Sequence, residues 1–172
     1  MSSQELIWKI PGALDSILRM FKQLVVILAL AGMTFAIDLP TRKVLNLAAI
    51  KVMVAAAEAK AKDLNVQVTI CIVDDSGNLL FLEKADTASF NTLDFAQKKA
   101  RSAALYRSPS KDGEDALKKG NTDVLTFPNY FPNQGGLPIK VDGQTIGGIA
   151  ASGSKSENDE AVAQAGIDAL LK

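Results

Sequence analysis

Apolar residues between positions 41 and 84 follow first a helical and then a strand pattern. Thr41–Asp63 has no glycine or proline, is rich in alanine and is apolar on nearly every side. We therefore expect one long helix, covered by the sheet and by another subunit. Val66–Asp74 alternates and is rich in β-branched residues, which predicts a strand. After the turn residues Asp74–Asn78, Leu79–Lys84 completes a predicted hairpin.

Two helices and a loop are predicted to follow this hairpin. The pattern indicates a helix over Thr92–Tyr106 and a shorter one over Lys111–Lys119. Asp123–Gly136 contains two prolines and ends in two glycines. We expect a short strand there, followed by a loop.

The last part of the chain predicts a second hairpin and a final helix. Leu137–Val141 and Gln144–Ser152 flank an Asp-Gly pair, which is a strong hairpin signal. A capping-box pattern at Ser154–Glu157 opens a helix that is predicted to run over Ser156–Leu171. Because hairpins rather than βαβ units connect the strands, the predicted fold class is α+β. An antiparallel β-sheet of about five strands is expected, flanked by helices.

The N-terminal part has the pattern of a targeting segment. Residues 24–36 are the most apolar run of the chain and are too short for a membrane span, which needs about 20 residues. Lys22 precedes the run, and Thr34 and Ala36 are small residues at the −3 and −1 positions of a cleavage site, as in a secretory signal peptide. Residues 1–19 are mixed in character, so we expect either that Met20 is the true start or that residues 1–19 are an extension with little structural role. An amphipathic or buried N-terminal helix is the alternative.

These features divide the chain into two parts. We expect an N-terminal extension and signal peptide over residues 1–36 and a single domain over residues 37–172. The expected location is therefore periplasmic or secreted.

Composition excludes several classes of protein. The chain has 19 basic and 19 acidic residues, and this balance argues against a nucleic-acid partner. It has one cysteine and no histidine, which excludes an intramolecular disulfide, a Ser-His-Asp triad, a Cys-His dyad and a histidine metal site. No metal site is predicted. Cys71 lies in a predicted strand, so we expect it to be buried.

Four segments resemble one known family, in the same order along the chain. They are IVDDSGNLL (Ile72–Leu80), QKKARSAALYRSP (Gln97–Pro109), GGLPIKVDGQTIGGIAASG (Gly135–Gly153) and SENDEAVAQAG (Ser156–Gly166). Together they resemble the GlcG/HbpS-like family, also called the haem-degrading domain family, which includes the C-terminal domain of PduO-type proteins. The resemblance implies a profilin-like antiparallel sheet flanked by helices, often assembled into octamers. Some members are secreted haem-binding proteins that work beside a sensor kinase, and others are cytoplasmic.

The missing histidine bears directly on the expected cofactor, haem. An iron ligand would have to come from Tyr106, Tyr130, Met53, Cys71 or a lysine. Otherwise, haem would bind without strong ligation.

The predicted helix over 92–106 carries one stripe with helical spacing: Thr92, Phe95, Lys99, Ser102 and Tyr106. Two aromatic rings beside a cation and a hydroxyl suit a flat, anionic ligand such as a porphyrin. The family resemblance also implies ligand contacts near this helix, at Lys99, Ser102 and Tyr106. The alternative is that both rings pack in the core and the lysine is solvated.

Four glycines offer places where a ligand or another backbone can approach closely: Gly135, Gly136, Gly147 and Gly148. Together with Tyr130 they could line the mouth of a pocket. The alternative is a bulge with tight packing between subunits.

Three functions remain open at this point. The first is a secreted small-molecule-binding protein, with haem or another tetrapyrrole as ligand and a membrane sensor as partner. The second is a small isomerase, cyclase or degrading enzyme with Asp74 and Lys99 as catalytic candidates, although an Asx turn also explains Asp74. The third is an assembly protein whose apolar first helix serves oligomerisation alone.

Overall fold

A computed structural model of the protein describes residues 12–31 and 37–172. The chain divides into two units between Thr41 and Arg42. The first unit contains helix α1 (Ala13–Ala31). Within the described ranges, no helix is long and apolar enough to cross a lipid bilayer. The predicted cleavage site at Ala36 and most of the extension before Met20 lie outside the described residues, so the signal peptide stays a prediction.

The second unit begins with a segment without regular secondary structure, followed by helix α2 (Leu47–Asp63). The predicted helix start at Thr41 is wrong, because Asn46 caps the helix: its side-chain oxygen accepts a hydrogen bond from the amide of Ala49 at 2.8 Å. Ion pairs from Arg42 to Asp75 and from Lys43 to Asp142 attach the segment before the cap to both hairpin turns.

Helix α2 buries one stripe, not its whole circumference. The stripe packs mainly on helix α5 (Ser156–Leu170). Its buried members are Ile50, Met53, Val54, Ala57 and Ala61. Leu47 and Val52, on the rest of the helix surface, are exposed. Coverage of that surface by another subunit stays a prediction.

The sheet confirms the predicted α+β class. Strands β1 (Thr69–Asp74), β2 (Leu79–Lys84), β3 (Gly136–Val141) and β4 (Gln144–Ser152) pair in the order β2-β1-β4-β3. All three pairings are antiparallel. Within the described residues the sheet has four strands rather than about five.

The strand expected near Asp123 is a 3₁₀ turn, Asp123–Thr126. Side chains there bond to the local backbone: the Thr126 hydroxyl donates to the carbonyl of Asp123 at 2.7 Å. The Asn121 side chain accepts from the amide of Asp123 at 3.1 Å. Such local bonds replace strand pairing.

Helices cover both faces of the sheet. Helix α3 (Thr92–Tyr106) packs its alanines on Cys71, Val73 and Ala150. The opposite face, which includes Ile72 and Ile149, packs against α2 and α5. A short helix, α4 (Ser110–Lys118), leads into the loop before β3.

The burial expected for Cys71 is confirmed. The side chain is fully buried between β1 and α3. Burial raises the pKa of its thiol to about 12, so the thiol stays protonated at neutral pH.

Candidate functional site

Three of the four motif segments meet at one buried ion pair. The Lys99 ammonium on α3 lies 2.9 Å from the Asp159 carboxylate on α5, and the two side chains are only 2% and 3% exposed. Lys99 also donates to the carbonyl of Ala151 on β4 at 3.3 Å. Asp159 accepts from the amide of Ser154 at 3.0 Å. The pair thus ties two helices to the end of the sheet.

Burial raises the pKa of Asp159, and the Lys99 ammonium and the Ser154 amide oppose that rise. The cation and the backbone donors therefore offset part, but not all, of the cost of removing the carboxylate from water. Lys99 is neither solvated nor a partner of Asp74. The sequence pattern did not identify Asp159 as the partner of Lys99.

Two of the predicted ligand-contact glycines fit closely around this ion pair. A Cβ atom added to Gly135, whose φ is +121°, would lie 3.0 Å from the Lys99 nitrogen and 2.9 Å from the Asp159 Cβ. A Cβ on Gly136 would collide with the backbone of Lys99. Both glycines therefore permit close packing of the chain on α3.

The other two glycines also serve packing within the chain. A Cβ on Gly148 would lie 3.1 Å from the Cβ of Ala104 on α3. A Cβ on Gly147 would meet the Val73 carbonyl and would lie 2.7 Å from the Leu45 side chain. These contacts agree with close packing at the glycines, against helix α3, β1 and Leu45 of the same chain; contacts with a ligand or with another subunit stay predictions.

Serine hydroxyls hold the loop between α4 and β3. Ser102, fully buried on α3, accepts from the amide of Phe131 at 3.0 Å. Ser110 donates to the carbonyl of Asn133 at 2.6 Å and accepts from the amide of Gly136 at 2.9 Å. Sequence reasoning missed the anchoring role of Ser110.

The loop places aromatic rings on the exposed side of α3. We call this group the aromatic patch: Phe95, Tyr106, Phe127, Tyr130 and Phe131. Phe95 and Phe131 have ring centroids 5.4 Å apart. Tyr106 lies 4.5 Å from Tyr130 and 6.2 Å from Phe127.

The aromatic patch combines exposed aromatic rings with a nearby positive charge. Phe127 is 46% exposed and Phe95 is 36% exposed. The Tyr106 hydroxyl donates to the carbonyl of Pro128 at 2.7 Å. The ammonium of Lys98 lies 5.8 Å from the centroid of the Phe131 ring. The patch therefore offers π surface beside positive charge.

The predicted ligand-binding stripe on α3 is thus divided by the structure. Phe95 and Tyr106 lie in the aromatic patch together with Tyr130, whereas Lys99 and Ser102 are buried in polar contacts. Phe127 and Phe131 were not predicted, although the local sequence FPNYFPN is rich in aromatic residues.

The catalytic candidates are not brought together. One oxygen of Asp74 accepts from the amides of Ser76 at 2.9 Å and Asn78 at 2.8 Å, which is the Asx-turn alternative. Although burial opposes it, the bonds from Asn78 and Ser76 hold the pKa of Asp74 below its ordinary value. Lys99 is paired with Asp159, so an Asp74–Lys99 acid–base pair is not formed.

A separate cavity of about 210 Å³ lies between α2 and the edge of the sheet. Glu58 and Glu83 both line it. Burial, a hydrogen bond with Glu58 and the charge of Glu58 raise the pKa of Glu83. Burial and the neighbouring charge of Glu58 therefore favour the protonated form of Glu83.

The candidate iron ligands are poorly placed for haem. Met53 and Cys71 are fully buried in the core. Burial, together with the charge of Asp112 and the neighbouring Tyr106, raises the pKa of Tyr130, which disfavours a phenolate. Among the described residues, no group of three or more acidic, cysteine or histidine side chains is placed to hold a metal ion. These donors do not fit strong iron ligation, whereas the aromatic patch fits a flat ring.

The fold and these motif contacts define a small α+β domain with helices on both faces of an antiparallel sheet. Residues 45–168 match the family of HbpS-like haem-degrading proteins, and the chain belongs to that family. The resemblance found in the sequence is therefore confirmed.

Relatives and solved structures agree with this assignment. The chain is 35% identical over 112 residues to protein GlcG of Escherichia coli K12. This match covers 65% of this chain and 84% of GlcG. A double mutant of HbpS from Streptomyces reticuli superposes with a TM-score of 0.69 and 27% identity, covering 80% of this chain and 96% of that one. PduOC, solved as a haem complex, gives a TM-score of 0.68 and 26% identity, covering 74% and 95% of the two chains.

Proposed function

We propose that this protein binds a tetrapyrrole, with haem as the expected ligand, on the aromatic patch. The observation that carries the proposal is a group of partly exposed aromatic rings, one of which, Phe131, lies 5.8 Å from the Lys98 ammonium. The HbpS-like family and the haem complex of PduOC support the choice of ligand. Protein function then depends on ring contacts and on charge, rather than on a catalytic dyad.

The chemistry of the patch matches the two parts of a porphyrin. Aromatic faces and edges attract a flat π system, with about 0.5–1.5 kcal/mol for each good ring contact. Lys98 forms an exposed ion pair with Asp94 at 2.6 Å. Exposed pairs of this kind contribute little, so the ammonium can turn to a propionate at small cost. Arg107, exposed directly after α3, is a second cation for the other propionate.

We place this function in the periplasm or outside the cell. The apolar run over residues 24–36, which ends with the small residues Thr34 and Ala36 at the −3 and −1 positions, supports export because it has the pattern of a signal peptide. In this proposal, a membrane sensor protein binds the ligand-bound form of this protein and passes on the signal. The exposed Leu47 and Val52 on α2 support assembly into a homo-oligomer, for which an octamer is the expected form.

A titration of the full chain with hemin tests the proposed function. Binding on the aromatic patch removes the ring from water and changes its electronic environment. We expect a shifted and saturable Soret band at an equimolar ratio of protein and hemin. A spectrum identical to that of free hemin at every protein concentration would refute tetrapyrrole binding.

A further inference from the structure

We infer that this protein recognises the porphyrin ring and not its iron, so that metal-free and iron porphyrins bind with similar affinity. This inference rests on the proposed function and narrows its ligand class. It follows from where the donor atoms of this chain lie.

The strongest iron ligands are absent or buried. The whole chain contains no histidine. Met53 packs in the core between α2, α5 and the sheet, and Cys71 packs between β1 and α3. Both side chains are fully buried, so neither sulfur reaches a ligand on the surface. A protonated thiol is also a poor metal ligand.

The two tyrosines have other contacts. The Tyr106 hydroxyl already donates to the carbonyl of Pro128 at 2.7 Å. The Tyr130 ring packs on α4, where a Cβ on Gly113 would lie 2.7 Å from its hydroxyl oxygen. The raised pKa of Tyr130 keeps this group a neutral phenol, whereas a strong tyrosine–iron bond needs the phenolate.

The remaining groups near the patch are charged. The ammonium of Lys98 has three donors and no lone pair for a metal, and it is paired with Asp94. Asp112 is the acidic group that faces Tyr130 from α4. An exposed carboxylate is a weak partner for haem iron compared with imidazole or thiolate. Asp112 is therefore tested directly by substitution, whereas the Asp94 carboxylate is already paired with Lys98.

The contacts that the patch offers do not depend on the metal. Phe95, Phe127 and Phe131 present only hydrocarbon and π surface, and Lys98 offers a charge to a propionate. Hemin and protoporphyrin IX share the ring and both propionates. Their binding energies should therefore be nearly equal.

The test compares hemin with metal-free protoporphyrin IX on the full chain. Protein-bound protoporphyrin IX is followed by its fluorescence and hemin by its Soret absorbance. We expect the two dissociation constants to agree within about threefold. The ratio of the two constants should stay the same in Phe127→Ala, Tyr130→Phe and Asp112→Asn, even where both constants change.

Three results would overturn the inference or the proposed function on which it rests. Hemin that binds more than about tenfold more tightly than protoporphyrin IX, with the difference lost in Tyr130→Phe or Asp112→Asn, would show a protein ligand to iron. Hemin binding without any protoporphyrin IX binding would refute the inference and leave the proposed function intact. Failure of both porphyrins to bind would refute the proposed function itself.

Discussion

The ammonium nitrogen of Lys99 lies 2.9 Å from a carboxylate oxygen of Asp159, and both side chains are buried beneath Gly135. The two residues are 60 positions apart and belong to different helices. They join the family motif on α3 to the motif that opens α5. The pair therefore lies at the end of the sheet where the loop with Tyr130 and Phe131 leads into β3.

Removing one partner of this pair should strongly destabilise the fold. Asp159→Asn leaves the Lys99 ammonium buried without its counter-ion, and the free energy of unfolding should fall by about 3–5 kcal/mol. Urea denaturation followed by circular dichroism measures this change. The matched control is Lys98→Met, at the position directly before Lys99 on the same helix. This substitution breaks the exposed ion pair with Asp94 and should change the free energy of unfolding by less than about 1 kcal/mol. Equal effects of the two substitutions would contradict a structural role for the buried pair.

Added volume at Gly136 should also destabilise the domain. The Cβ of Gly136→Ala collides with the backbone of Lys99, which cannot move as a side chain can. Overpacking of this kind costs about 1–3 kcal/mol. Thermal denaturation should show a lower Tm. If Gly136→Ala melts at the wild-type temperature, the close contact between β3 and α3 is not a constraint.

The Ser102 hydroxyl should control opening of the loop that carries Phe131. In Ser102→Ala the amide of Phe131 loses its acceptor, and such a bond contributes about 1 kcal/mol. Hydrogen exchange of the loop amides should become about fivefold faster, while exchange in β1 and β4 is unchanged. Ser76→Ala, in the distant hairpin turn, is the control. If the loop amides of Ser102→Ala exchange at the wild-type rate, the hydrogen bond between Ser102 and Phe131 does not control opening of the loop.

The Glu58–Glu83 pair should make stability depend on pH in a defined direction. The pKa of Glu83 is raised in the folded state, so the protonated form favours folding. Its contribution is complete below the unfolded-state pKa and is lost as pH rises through the folded-state pKa. Glu83→Gln should therefore gain stability relative to the wild type as pH increases from about 4 to 7, by less than about 1 kcal/mol because the site is exposed.

Glu58→Gln provides the second arm of that measurement. It removes the charge of Glu58, which is one cause of the raised pKa of Glu83. Urea denaturation across the same pH range should show a relative gain in the same direction but smaller than that of Glu83→Gln, because burial still raises the pKa of Glu83. A relative stability that falls with pH in both variants would mean that the two carboxyl groups do not interact as described.

Local patterns predicted much of the fold but not the partners of the polar residues. The Asp142-Gly143 turn and the alternation around it identified the second hairpin, because hairpin pairing is set by neighbouring residues. The predicted start of α2 was wrong because Thr41–Leu45 contains no glycine or proline, so the sequence pattern did not show that the helix begins at the Asn46 cap. Helical spacing placed Phe95, Lys99 and Tyr106 on one helix but could not show that Asp159 pairs with Lys99.

The aromatic patch is a second example of contacts that local sequence patterns do not predict. Tyr130 was singled out beside the glycines, but Phe127 and Phe131 come from an irregular loop without periodicity. Their positions depend on Ser102 and Ser110, which bond to the loop backbone across 29 and 23 positions of sequence. Such contacts form only in the folded domain.

Hemin affinity in two matched phenylalanine variants tests the central claim most directly. Phe127 is 46% exposed in the aromatic patch, and Phe90 is 87% exposed elsewhere on the domain. We predict that Phe127→Ala weakens hemin binding by about two- to tenfold, as expected for the loss of one ring contact. Phe90→Ala should bind as the wild type does. Equal affinities in all three proteins, or a loss confined to Phe90→Ala, would contradict tetrapyrrole binding on the aromatic patch.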